Sequence, residues 1–132
     1  MFNPEPRFAM PQAIKKLAKE LGLPYSPIMQ DWSYEVSNPN DIEKYINHYN
    51  SLTDDDEKFV LIEIIIDSNN DLEDHAQLEF YWNKVRQLLI KDFAIHEYTI
   101  FYWAGITKRE DLDEWPIVPC MQTLLKELNK VE

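Results

Sequence analysis

Glycine is nearly missing from this chain, with Gly22 and Gly105 as its only two members in 132 residues. Hairpin-rich β folds lean on glycine at tight turns, so that scarcity argues against one. It also removes every glycine-rich phosphate loop. Cysteine is scarcer still: Cys120 is alone, so no disulfide can form within the chain and no Cys-x-x-Cys pair exists. A lone cysteine points towards a reducing compartment. Long apolar runs are missing as well. The longest blocks, Phe59–Ile62 and Ile64–Ile66, are split by Glu63, far below the roughly 20 residues of a membrane helix. The opening "MFNPEPRFAM" holds prolines and no apolar core of signal-peptide length. A soluble, cytoplasmic protein is the expectation.

Positive charge is in deficit. There are 13 Lys and Arg against 24 Asp and Glu, a balance of −11. Duplex nucleic acid is held by cations that neutralise phosphates, and Lys15, Lys16 and Lys19, the densest basic cluster, sit beside Glu20. Nucleic acid and anionic membrane are therefore excluded as expected partners. A basic protein suits this charge, which favours fast electrostatic capture.

What is present is a core. Hydrophobic residues make up 45% and aromatics 13% of the chain, and a chain this long buries roughly two-thirds of its unfolded surface. A single globular domain spanning residues 1–132 is expected.

Residues 11–21 read as a helix. Pro11 suits a first turn, Ala13, Ile14, Leu17, Ala18 and Leu21 keep helical spacing, and Gly22 followed by Pro24 stops it. Residues 39–51 read likewise, with Asn38 as cap and Ile42, Tyr45, Ile46, Tyr49 and Leu52 on one face. In residues 54–67, Thr53 stands where a cap would be and Asp54, Asp55, Asp56 and Glu57 suit a helix start. The "FVLIEIII" that follows is rich in β-branched residues, as a buried strand would be. The acidic preamble and the length favour a central buried helix.

Residues 71–91 form the clearest helix, with an Asn70/Glu73 capping pair and a stripe from Leu78 to Leu89. Residues 94–104 are ambiguous; Gly105 favours a helix that ends there. Thr107 and Glu110 suit a short capped turn, "WPIVP" reads as extended, and a last helix is expected over 119–130. The fold class is therefore mainly α: a helical bundle of about five to six helices with an extended strap at 24–38. If 59–66 and 96–103 were strands, the fold would be α+β instead.

The strap holds "MQDWSYEV". Trp32, Tyr34 and Val36 alternate with polar neighbours, the two-residue period of an extended segment. The plain reading is a crossing pinned by Trp32. The sharper reading makes Asp31 and Trp32 part of a recognition loop.

Asp54, Asp55 and Asp56 are the densest acidic run. They could grip a basic partner, although consecutive helical residues diverge, and helix-start solvation alone accounts for them. "DSNNDLEDH" at 67–75 lacks the glycine and final glutamate of a calcium loop. His75 with Glu79 and Asp92 with His96 have i, i+4 spacing and are weak metal candidates. No Glu-x-x-His or His-x-x-x-His pattern supports them, and ordinary surface or satisfied side chains account for His48, His75 and His96 alike. Cys120 could be a nucleophile at a helix start, but its core-facing neighbours suit a small buried hydrophobe. No catalytic residue and no cofactor is expected.

These features suggest an acidic protein-binding module, possible forms being an inhibitor or bacterial immunity-like protein that docks on a basic partner. The alternatives are a self-associating structural or adaptor domain and a metal-assisted enzyme. The partner's identity and the oligomeric state stay open.

Overall fold

A computed structural model describes residues 2–105 and 115–128. The protein is all-α, about 70% helical, with seven α-helices and no strand among the described residues. The chain divides into two compact units: Phe8–Asp71, and Met1–Arg7 together with Leu72–Glu132.

The first unit is built on one helix. α4 (Asp55–Asn70) receives α1 (Pro11–Leu21), α2 (Trp32–Val36), a 3-10 turn (Pro39–Asp41) and α3 (Ile42–Tyr49). The chemistry of "FVLIEIII" explains why α4 is the hub. A helix that is apolar on every side has to be covered on every side, and Phe59 to Ile66 are all buried except the half-buried Glu63. The partners of α4 are amphipathic. α1 contributes Ala13, Leu17, Ala18 and Leu21, and α3 contributes Ile42, Tyr45, Ile46 and Tyr49. α1 ends as its sequence demands: Gly22 adopts φ 67° and its N–H returns to the Ala18 carbonyl.

Four local expectations in this unit change. The helix read over 39–51 opens as a 3-10 turn and ends at Tyr49. Asp54, not Thr53, caps α4, accepting a hydrogen bond from the Glu57 N–H at 3.0 Å. α4 runs on to Asn70 rather than stopping at 67. Residues 32–36 are helical, not extended. Trp32 and Val36 are buried and Tyr34 is exposed, so the i, i+4 pair makes the contact with α4 and the i, i+2 alternation does not. The expected pin is present: the Trp32 indole N–H donates to the Pro24 carbonyl at 2.7 Å.

The second unit packs α5 (His75–Lys91), α6 (Phe93–Ala104) and α7 (Ile117–Glu127) against one another. Asp74 caps α5, accepting from the Ala76 N–H at 3.1 Å, so Asn70 and Glu73 do not form the expected capping pair. Its side chain meets an otherwise orphaned first-turn donor. α6 is a helix across 96–103, as the Gly105 stop suggested. α7 starts at Ile117, two residues earlier than Pro119 implied, and Ile117 and Val118 are helical rather than extended. Pro119 then lies in the first turn, where no intrahelical N–H bond is lost. Arg86 of α5 pairs with Glu127 of α7, and Gln122 donates to the Ala104 carbonyl at 3.1 Å. The Thr107/Glu110 turn and the end of the last helix at 130 lie outside the described residues.

Candidate functional site

The acidic run lies where α1 and α4 begin. Asp54, Asp55 and Asp56 are exposed, and Asp54 also caps α4. Glu57, the next residue, turns inward and is 5% exposed. Such a carboxylate requires a charged partner, and Lys16 of α1 supplies it at 3.1 Å. That hydrogen bond, with the Glu57 charge behind it, raises the pKa of the Lys16 ammonium.

Beside this pair lies a groove of about 550 Å³. Met10, Pro11 and Ala13 line one part of it, and Asp54, Asp56 and Glu57 another. Lys16 is the one cation among the lining residues, and Glu57 already engages it. The groove therefore offers apolar contact next to surplus negative charge. The divergence expected of consecutive aspartates is partly realised: Asp54 and Asp56 line the groove and Asp55 does not.

Asp31 and Trp32 belong to a different part of the same unit. Trp32 is buried, so its ring holds the segment, while Asp31, Tyr34 and Ile28 are exposed around it. Asp31 also lies close enough to Asp67 of α4 to act on its charge. This second buried acid of α4 had no signal in the sequence beyond its place in an oxygen-rich stretch. It belongs to a run of four polar residues, Asp67 to Asn70, that α4 buries. One of them has a clear task, since Ser68 Oγ accepts from the Asn38 N–H at 3.1 Å. Burial first, then Glu63, Asp31 and Asp71, push the Asp67 carboxyl up to about 8.

The metal candidates are dispersed. His75 and Glu79 do meet, at 3.1 Å, on an open face of α5. His96 is fully buried in α6, and its backbone N–H donates to the Asp92 carbonyl. Among the described residues no group of three or more His, Cys, Asp or Glu side chains is arranged to hold a metal ion. His48 pairs with Glu20 at 3.0 Å. Cys120 is half-buried in α7, and burial followed by the Glu79 charge pushes its thiol up. That is the reverse of the shift that activates a nucleophilic thiolate.

Among the described residues no helix is long and apolar enough to cross a membrane. Comparison with protein-family models, with curated proteins and with solved structures gives no match.

Proposed function

We propose that the protein is a cytoplasmic, acidic binding module that docks on a basic protein, in the manner of an inhibitor or immunity protein. The observation that carries this reading is the groove between the starts of α1 and α4. An arginine or lysine has an apolar stem and a cationic head. Met10, Pro11 and Ala13 suit the stem, and Asp54 and Asp56 suit the head. Asp31, with exposed Tyr34 and Ile28, is the further contact we assign, and Trp32 keeps that segment in place. The balance of −11 speeds the approach of such a partner.

The test uses a short arginine-rich peptide titrated into isotopically labelled protein. Shift changes should centre on residues 10–16 and 54–57, fade at high salt, and vanish in a triple variant with Asp54, Asp55 and Asp56 changed to Asn. Asparagine caps a helix about as well as aspartate, so the variant should keep its fold. Equal binding by the variant, or insensitivity to salt, overturns the reading.

A second reading, self-association, draws on exposed Phe8, Phe80 and Tyr102. Sedimentation of the purified protein decides it, since a strict monomer removes that reading.

A further inference from the structure

α6 has two faces. His96, Thr99, Ile100 and Trp103 are buried, and α5 and α7 pack on this helix within its unit. Phe93, Glu97, Tyr98 and Phe101 are half-buried, and their i, i+4, i+5, i+8 spacing puts them on one stripe of the helix. Residues 2–7, which adopt no regular secondary structure, lie on that stripe. The Phe2 ring meets two rings of α6. It stacks on Phe93 with centroids 6.1 Å apart and stands edge-on to Phe101 at 6.0 Å. Beyond Phe2, residues Pro4 to Arg7 share a groove of about 350 Å³ with Ile95, Glu97 and Tyr98.

These are the contacts of a bound peptide. Pro4 and Pro6 keep Asn3 and Glu5 extended and have no N–H to donate, so side chains do the holding. Phe2, Pro4 and Arg7 are half-buried, while Asn3, Glu5 and Pro6 are exposed. Proline-bearing chain on an aromatic groove is a recurring mode of recognition, because a preformed extended peptide has little conformational entropy left to lose. Residues 8–10, which join the segment to α1, are exposed and non-helical.

We propose that the aromatic stripe of α6 is a docking site for an extended peptide of a partner protein, one with an aromatic residue two positions before a proline. Residues 2–7 occupy the site as an internal stand-in, and the partner's peptide displaces them. Phe93 and Phe101 receive the aromatic anchor, as they receive Phe2. Tyr98 flanks the prolines, and Glu97 favours a basic residue where Arg7 now lies. The site is on a different helix from the groove beside Asp54 and Asp56 and does not depend on it.

The probe is a synthetic peptide, FNPEPR, with the sequence of residues 2–7, titrated into the full isotopically labelled chain. Phe2→Ala, which removes the internal anchor, should bind it with shift changes centred on residues 93–101. Wild type should bind it roughly tenfold more weakly, because the site is open only in the fraction of molecules whose own segment has left. The same peptide with alanine for its phenylalanine should not bind. Adding Phe93→Ala to Phe2→Ala should also remove binding. If Phe2→Ala fails to fold, excess peptide on wild type is the test: it should shift residues 93–101 and release the Phe2 signals, and no response overturns the proposal. It is equally overturned if folded Phe2→Ala ignores the peptide or binds it no better than wild type. Dimerisation of wild type that Phe2→Ala abolishes would make a second copy the occupant, and overturns it too.

Discussion

Glu57 and Asp67 are two buried carboxyls on one helix, and they live in opposite surroundings. Glu57 lies in the first turn of α4, near the positive end of the helix, with Lys16 at 3.1 Å. Asp67 lies near the other end, with three acids around it and a titration pushed up to about 8. Both are nearly inaccessible, at 5% and 8% exposure. Burial alone therefore does not decide which acid keeps its charge. The partner across the gap and the direction of the helix decide it.

Neutralising each acid in turn should give effects of opposite sign. Asp67→Asn has the larger one. The native chain holds the Asp67 proton up to about pH 8, while the unfolded chain gives it up near pH 4. Between those values the native state binds more protons, so wild-type stability falls as pH rises, and the loss is complete above pH 8. Relative to wild type, Asp67→Asn should show no gain below pH 4 and a gain of up to about 5 kcal/mol above pH 8. Urea unfolding of both proteins across that range measures it. A gain that does not grow with pH would place the Asp67 proton elsewhere.

Next in size is Trp32→Phe, which leaves the Pro24 carbonyl without its indole donor and opens space over α4. A loss of about 1–3 kcal/mol is expected, measured by the same unfolding. Glu57→Gln should destabilise near neutral pH, by less than Asp67→Asn stabilises, because Lys16 is largely exposed and water screens the pair. If both substitutions shift stability in the same direction, the contrast between the two ends of α4 is wrong. The smallest expected effect is that of Asp54→Ala, about 1 kcal/mol for a lost cap. Thr53→Ala should then be neutral, since Asp54 caps α4 in its place.

The boundaries of α1 were legible because proline, helical spacing and Gly22 all agree over Pro11–Leu21. The central helix was legible from its acidic start, even though its β-branched run spoke for a strand. α2 was not. Trp32, Tyr34 and Val36 alternate, and only the surface of α4 selects the Trp32/Val36 pair and leaves Tyr34 outside. The start of α7 was missed for a related reason. Two prolines argued for extended chain, but burial of Ile117 and Val118 outweighs that local preference, at no hydrogen-bond cost. Of the candidate site, the Asp54–Asp56 run was visible in sequence, while the groove beside it was not. Lys16 and Glu57 are 41 residues apart, and only packing of α1 on α4 makes them a pair.

By itself, the sequence determined that this protein would be helical, charged to −11 and without an internal disulfide, because residue spacing, charge and the cysteine count are properties of the chain before it folds. Tertiary structure alone decided which of its many acids would be buried, and which of those would meet a cation. A carboxyl's proton answers to what stands within a few ångströms of it, and that neighbourhood exists only after helices distant in sequence have packed.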